Sequence, residues 1–159
     1  YIIISTLGVN TATEGKIFVV SSATNQIVSS FKPMPNASST GFIVGTSNTE
    51  VMGISYDKID HNKAYIYKIN IITGQVLKTR EIAARVAFVN DTNQLKGKGI
   101  IRDEYGTPWA YLDGILVKIS SDLDFQIIGK VNDTLGEFSI KDNSVYLTGK
   151  GMLRRIQYR

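Results

Sequence analysis

The sequence predicts an all-β protein built from antiparallel, propeller-like repeats. Residues that favour strands are plentiful, and no window combines the apolar spacing of a helix with capping residues. The segment Ala64–Thr79 reads as a β-hairpin, with strands at Tyr65–Ile71 and Gln75–Thr79 and a turn at Thr73-Gly74. Similar sequence segments precede it at Ile17–Ser29 and follow it at Ile115–Ile128. A recurring hairpin of this kind indicates a repeat architecture.

The spacing of the copies suggests the size of the repeat. Their turns align as Ala23–Gln26, Ile72–Gln75 and Asp122–Phe125, at offsets of 49 and then 50 residues. A period of ~40 to 50 residues is typical of the four-stranded blade of a β-propeller. At ~45 residues a blade, 159 residues give about three and a half blades, in one domain with units near 1–35, 40–82, 85–131 and 137–158. A β-sandwich with similar hairpins is the alternative.

The individual strands follow from apolar runs and the turns between them. Pro33 and Pro35 end the first unit because proline cannot donate to a ladder, and Asp113-Gly114 is a strong hairpin signal. The best candidate for a helical turn is Thr79–Phe88. The predicted strands outside the central hairpin are 1–6, 16–21, 26–31, 41–46, 50–56, 85–90, 95–102, 109–112, 115–120, 125–131, 137–140, 145–148 and 152–158.

The amino-acid sequence of the hairpin resembles a known group of repeats. Ile66–Leu77, IYKINIITGQVL, is similar to the outer hairpin of YVTN and quinoprotein-like propeller blades. Val19–Val28 is a looser copy with Asn25 in place of the glycine, and the third copy lacks both threonine and glycine. Asn143–Ile156 resembles the inner part of such a blade. The resemblance implies a partial propeller; it implies no activity, because the catalytic residues of the quinoprotein enzymes have no match here.

The charge distribution and the composition limit the classes of partner that the chain is expected to bind. The net charge of +4 comes from the last ten residues, which hold Lys150, Arg154, Arg155 and Arg159 and no acid. The rest of the chain is balanced, so a nucleic acid is an unlikely partner. There is no cysteine, and no apolar run approaches the ~18 residues that span a bilayer. Three Asn-x-Ser/Thr sequons are weak evidence for secretion, so the location stays open with an exported one slightly favoured.

Acidic and histidine side chains are the first candidates for chemistry. His61, the only histidine, lies in a polar turn near Asp57 and could act as a ligand or base, although a solvated turn explains the same residues. Asp122 and Asp124 lack the further oxygens and the glycine of a calcium loop, so a hairpin turn is the better interpretation. We therefore predict no metal site, no cofactor and no catalytic set.

One aromatic and basic patch is the remaining candidate. Trp109, the only tryptophan, could form a patch with Tyr105, Tyr111, Arg102 and Arg85 that binds a sugar, a peptide or a base. A tryptophan packed between sheets is the competing interpretation. The predicted ligand-binding set is thus Trp109, Tyr105, Arg102, Arg85, His61 and Asp57.

These features favour a non-enzymatic binding or scaffold domain that holds a protein or a polysaccharide through its inter-strand loops. A fragment of a propeller-fold hydrolase, lyase or cyclotransferase is one alternative. A module that self-associates through open edge strands is another.

Overall fold

The computed structural model describes residues 1–6, 15–34, 37–39, 43–57, 63–82, 99–112, 115–130, 138–149 and 152–158, with backbone alone at 37–39, 56, 57 and 149. These residues contain strands and turns but no helix. The strands are β1 (Ile2–Ser5), β2 (Ile17–Val20), β3 (Ile27–Phe31), β4 (Ala37–Ser39), β5 (Ile43–Gly45), β6 (Glu50–Asp57), β7 (Ala64–Asn70), β8 (Val76–Ile82), β9 (Ile100–Arg102), β10 (Pro108–Leu112), β11 (Ile115–Ile119), β12 (Phe125–Lys130), β13 (Phe138–Lys141), β14 (Ser144–Gly149) and β15 (Met152–Gln157).

The described strands form four antiparallel sheets in chain order. Sheet 1 is β1-β2-β3, sheet 3 is β9 to β12, and sheet 4 is β13-β14-β15. In sheet 2, β4 and β5 both pair with β6, which continues to β7 and β8. Each strand pairs with a neighbour in sequence or nearly so, which is the meander expected of a blade. The prediction of an all-β antiparallel fold is confirmed.

The two middle sheets are buried on both faces. Successive residues of a strand point to opposite faces, so each strand can contribute to two cores. On β6, Met52 and Ile54 face sheet 3, whereas Val51 faces sheet 1. On β10, Ala110 and Leu112 face sheet 2, whereas Trp109 and Tyr111 face sheet 4. A two-layer sandwich buries one face of each sheet, so this double burial is propeller-like.

Three apolar cores fill the spaces between successive sheets. The core between sheets 1 and 2 contains Ile17, Val19, Val51, Tyr67, Ile69 and Ile71. The core between sheets 2 and 3 contains Met52, Ile54, Ala64, Ile66, Ile82, Ile100, Ala110, Leu112, Val117, Ile119 and Leu123. The core between sheets 3 and 4 contains Trp109, Tyr111, Leu116, Phe138, Val145 and Leu147. Removing these side chains from water is the main favourable contribution to folding.

Tyr67 enters the core between sheets 1 and 2 because a glycine lies beside it. Gly53 pairs with Tyr67 across the strands, and a Cβ at Gly53 would lie 2.5 Å from the ring carbon Cζ. It would also lie 2.8 Å from the Cγ2 atom of Ile43. The missing side chain therefore makes the space that the buried phenol occupies.

The hairpin turns repeat in three dimensions. Asn25, Gly74 and Leu123 have φ values of 54°, 72° and 66°, and they lie at intervals of 49 residues. The sequence alignment placed Asp124 opposite Gly74, and that register is wrong by one residue. The amide of Asn70 donates to the main-chain oxygen of Gln75, five residues later. The amide of Ser120 donates to the main-chain oxygen of Asp124, only four residues later. The third turn is therefore one residue shorter than the second. This difference explains why the sequence alignment gave an offset of 50 residues between them.

The strands that follow the first two turns also carry the same irregularity. In sheet 1, Val19 pairs with Ser29 and Val20 with Ile27, so Val28 is an extra residue. In sheet 2, Leu77 is the extra residue in the same way, 49 positions later. A β-bulge at the same place in two copies indicates that the repeat includes the backbone path.

Most predicted strands occur, with ends that shift by one to three residues; of the predicted strand 95–102 the structure shows β9 (Ile100–Arg102), and residues 95–98 lie outside the described part of the chain. The central hairpin runs Ala64–Asn70 and Val76–Ile82. The candidate helical turn at Thr79–Phe88 is a strand as far as Ile82, and its remainder lies outside the described residues, as does the predicted strand at 85–90. Within the described part of the chain, no helix is long and apolar enough to cross a membrane.

Candidate functional site

A cleft of about 360 Å³ opens between sheets 2 and 3. Ligand sites in proteins are concave and of similar or larger volume. Sheet 2 contributes residues from β6, β7 and the turn before β6, and sheet 3 contributes one end of β10 and of β11 with the loops beside them. The lining residues are Thr46, Glu50, Met52 and Lys68 from sheet 2, and Tyr105, Gly106, Thr107, Pro108, Ile119, Ser120 and Ser121 from sheet 3.

An ion pair lies on the sheet 2 side of the cleft. The Nζ atom of Lys68 is 2.8 Å from the Oε2 atom of Glu50, and both side chains are largely buried. Glu50 and Lys68 lie on neighbouring strands, diagonally across the ladder. Partial burial lowers the effective dielectric constant and strengthens the pair relative to one on an open surface. The cleft therefore offers a fixed carboxylate and a fixed ammonium group side by side.

On the sheet 3 side, a buried carboxylate shapes the loop between β9 and β10. The Oδ1 atom of Asp103 accepts hydrogen bonds from the amides of Tyr105, at 3.0 Å, and Thr107, at 2.8 Å. Such side chain-to-backbone bonds are the usual means by which aspartate fixes a turn. Gly106 completes the loop at a φ of 85°. The conformation of residues 103–107 is thus set by one side chain.

Trp109, which is buried in the core, donates a hydrogen bond to the carboxylate of Asp103. Its Nε1 atom donates to the Oδ2 atom of Asp103 at 2.9 Å, and the tryptophan side chain is fully buried. The indole ring lies 4.6 Å from the ring of Tyr158, and the Nζ atom of Lys118 lies 4.8 Å above it. Trp109 therefore positions the loop and does not present its own surface to the cleft.

Tyr105 is the aromatic side chain that the loop exposes. It is 73% exposed and lies at the rim of the cleft. Arg102 lies just before the loop, and its Nη1 atom donates to the main-chain oxygen of Gly45 at 2.8 Å. This bond joins sheet 3 to sheet 2 beside Thr46, at one wall of the cleft.

The structure describes four of the six residues predicted to bind a ligand. Tyr105, Arg102 and Trp109 come together around the β9–β10 loop. Arg85 and His61 lie outside the described residues, and Asp57 is described only by its backbone at the end of β6. A ligand-binding role for the six stays a prediction.

Two parts of the site were missed by sequence reasoning. Asp103 is not among the residues predicted from the sequence, although an aspartate two and four residues before the amides it accepts from was a usable signal. The Glu50–Lys68 pair depends on strand register, which residue types alone do not reveal.

Charged side chains of the β9–β10 loop also affect the pKa of Tyr158. Partial burial raises the pKa of the Tyr158 hydroxyl, and the nearby carboxylates of Asp103 and Glu104 raise it further. Among the residues that the structure describes, no group of three or more His, Cys, Asp or Glu side chains could hold a metal ion.

A second cleft, of about 430 Å³, lies between sheets 1 and 2. Its walls are mainly aliphatic, with Ser47 and Asn48 at one side. The turn from Gly45 to Glu50 contributes to both clefts, because Gly45 and Ser47 line this one while Thr46 and Glu50 line the other. The second cleft lacks an ion pair and an ordered polar loop among its described residues, so the first is the better candidate.

No protein-family profile and no curated protein matches this chain. Solved structures do match it along almost its whole length. A catalytically inactive virginiamycin B lyase from Staphylococcus aureus, solved with quinupristin, has a TM-score of 0.50 at 14% identity, covering 98% of this chain and 59% of that chain. BamB from Moraxella catarrhalis has a TM-score of 0.51 at 12% identity, covering 99% and 54%.

The fold is propeller-like. Both of these proteins are β-propellers, which agrees with the stacked antiparallel sheets described above and with the predicted repeat. The chain spans little more than half the length of either. At this identity the likeness concerns the fold, and the site has to be argued from its own residues.

Proposed function

We propose that this chain is a non-enzymatic binding domain whose cleft between sheets 2 and 3 accepts a polar segment of another protein. The observation that carries the proposal is the exposed Tyr105 on a loop that Asp103 and Trp109 hold in place. A tyrosine offers a large contact area with few rotatable bonds, so little conformational entropy is lost when it binds. Preorganisation of its loop lowers that cost further.

The polar groups of the cleft suit a polypeptide ligand. Glu50 and Lys68 can accept from and donate to the amides or charged side chains of a bound segment. Met52 and Ile119 supply apolar contact at the base, where both side chains are buried. An apolar base with a few polar groups at the rim is typical of a binding cleft.

A peptide library displayed on phage, selected against the immobilised chain, tests the proposal. Selected peptides should lose affinity for Tyr105→Ala by about thirtyfold, the size expected when an interface anchor is truncated. Tyr146→Ala is the matched control, since Tyr146 lies on the far face of sheet 4 and is partly exposed. Melting curves confirm that both variants fold.

Two results would count against the proposal. Selected peptides that bind both tyrosine variants equally would place binding elsewhere on the chain. Failure to select any peptide, combined with Tyr105-dependent binding on a glycan array, would assign the same cleft to a polysaccharide.

A further inference from the structure

Lys68, on the wall of the cleft between sheets 2 and 3, has an equivalent in the next sheet. The hairpin turns of sheets 2 and 3 begin at Asn70 and Ser120, whose amides donate the hydrogen bonds that close each turn. Lys68 lies two residues before the first of these positions, and Lys118 lies two residues before the second. The two lysines therefore occupy the same position of the repeat, on β7 and β11.

Each lysine also has an equivalent neighbour across the strands. Lys68 pairs with Met52 of β6, and Lys118 pairs with Trp109 of β10. Both pairs face the following sheet, because Met52 and Lys68 line the cleft in front of sheet 3 and Trp109 lies in the core between sheets 3 and 4. We call Met52 with Lys68 the first lysine pair, and Trp109 with Lys118 the second lysine pair.

An aromatic ring from the following sheet covers the second lysine pair. Tyr158, which directly follows β15, has its ring centroid 4.6 Å from that of Trp109, with 55° between the ring planes. The Nζ atom of Lys118 lies 4.6 Å from the ring centroid of Tyr158 and 4.8 Å from that of Trp109. At such distances the ring quadrupole attracts a cation, so the ammonium group helps to hold the tyrosine ring in place.

The first lysine pair is not covered in this way by the described residues. In the described part of the chain no aromatic ring lies over the ammonium group of Lys68. The cleft of about 360 Å³ lies beside it instead, with Tyr105 at the rim. The carboxylate of Glu50, 2.8 Å from the Nζ atom of Lys68, fixes the ammonium group at the cleft wall. The same pair of positions thus faces a ring in one interface and an open cleft in the other.

We propose that the cleft between sheets 2 and 3 binds an aromatic side chain, which lies over Lys68 as Tyr158 lies over Lys118. This inference rests on the proposed function, since it names the class of residue that a bound protein segment contributes. The fixed ammonium group of Lys68 complements the negative face of a ring. The thioether of Met52 makes favourable contacts with aromatic rings, and Tyr105 offers a second ring for edge-to-face or offset packing.

The cleft between sheets 1 and 2 provides an internal comparison. The turn of sheet 1 begins at Ser21, so Val19 occupies the position of the two lysines, and it pairs with Ile3. Ile3 lines that cleft, and the pair contains no cation. A preference for aromatic over aliphatic rings is therefore expected at the first cleft and not at the second.

Titration with p-cresol, the side chain of tyrosine, tests the aromatic site without a peptide. The methyl signals of Met52 and Ile119 should shift and saturate with a Kd on the order of 1 mM, as for a small fragment. Methylcyclohexanol has a similar size but no π-system. It should bind about fivefold more weakly, because only the aromatic ring attracts the cation.

Substitutions show whether Lys68 causes that preference. Lys68→Met keeps the unbranched stem, so it should weaken p-cresol binding about fivefold and leave methylcyclohexanol binding unchanged. The double variant Lys68→Met with Glu50→Gln, which leaves no unpaired carboxylate, should behave in the same way if the single variant fails to fold. Lys141→Met, at an exposed lysine on the outer face of sheet 4, is the matched control and should change neither affinity.

Selected peptides connect the site to the proposed function. Each should contain one aromatic residue whose replacement by leucine weakens binding to the wild-type chain about tenfold, and less to the Lys68→Met variant. Preferential p-cresol binding at Met52 without any selected peptide would retain the aromatic site and overturn the peptide ligand. Equal binding of p-cresol and methylcyclohexanol, with Tyr105-dependent peptides that tolerate leucine at every aromatic position, would overturn the aromatic site and retain the proposed function.

Discussion

Arg80 donates a hydrogen bond through its Nη1 atom to the main-chain oxygen of Leu123, at the hairpin turn of the next sheet, over 2.9 Å. Forty-nine residues earlier in each strand, Phe31 packs against the turn at Gly74, where a Cβ would lie 3.3 Å from its ring. The partner of each contact also lies 49 residues from its counterpart. The repeat therefore extends to the contacts between sheets, although one contact is polar and the other is apolar.

Substitution at Gly74 tests this contact. Gly74→Ala should destabilise the chain by about 1–2 kcal/mol, because alanine at a φ of 72° is strained and its Cβ meets the ring of Phe31. Urea unfolding followed by circular dichroism measures the change. Gly129→Ala is the control: a Cβ there has no described atom within 4 Å, so its effect should stay within about 0.5 kcal/mol. Equal costs at the two glycines would mean that the turn contact contributes nothing.

The interface between sheets 2 and 3 contains an ion pair that should make stability depend on pH. The Nζ atom of Lys78 lies 2.7 Å from the Oδ1 atom of Asp122, and this hydrogen bond with its charge lowers the pKa of Asp122. A lowered pKa in the folded state stabilises the fold at pH values above the unfolded value of about 3.9. That contribution is lost as the pH falls through the folded pKa.

Asp122→Asn should therefore lower the melting temperature slightly at pH 7, and the difference from wild type should vanish in acid below the folded pKa. Because both side chains are exposed, high salt should also reduce the difference. In a Lys78→Met background the substitution should have a much smaller pH-dependent effect, because only the weaker charge effect of Lys68 still lowers the pKa of Asp122. A difference that persists in acid would show that Asp122 acts through the shape of its turn.

The anchor of the β9–β10 loop can be tested with a double-mutant cycle. Asp103→Ala should cost about 2–3 kcal/mol, because two loop amides and the Nε1 atom of Trp109 lose their acceptor. Trp109→Phe removes the Nε1 donor together with part of the buried ring, and the cycle separates this loss of packing from the coupling to Asp103. The two changes should couple by at least about 0.5 kcal/mol in urea unfolding, as residues in one network do. Additive costs would mean that Trp109 packs without holding Asp103.

The hairpins could be predicted because their signals are local. Thr73-Gly74 satisfies a turn that needs a positive φ, and Asn25 is the residue that tolerates the same conformation next best after glycine. Leu123 gave no such signal, since leucine rarely adopts a φ of 66°. Its side chain is fully buried in the core between sheets 2 and 3, so tertiary packing compensates for the local strain.

The candidate site could be predicted only in part. Tyr105 and Arg102 stand near Trp109 in the chain, so proximity in sequence grouped them. The partners of that group come from another sheet: Gly45 accepts from Arg102, and Glu50 and Lys68 complete the cleft. Contacts between sheets depend on how faces pack, and a turn signal carries no information about them.

Propeller-like stacking requires the middle sheets to be covered on both faces, which methyl nuclear Overhauser contacts measure directly. In sheet 2, Ile54 should show contacts with Ile119 of sheet 3, whereas Val51 and Ile69 should show contacts with Val19 of sheet 1. Together these contacts would establish sheets stacked on both sides of sheet 2. Contacts from one face of sheet 2 alone, with the methyl groups of the other face exposed to solvent, would contradict it and indicate a two-layer sandwich.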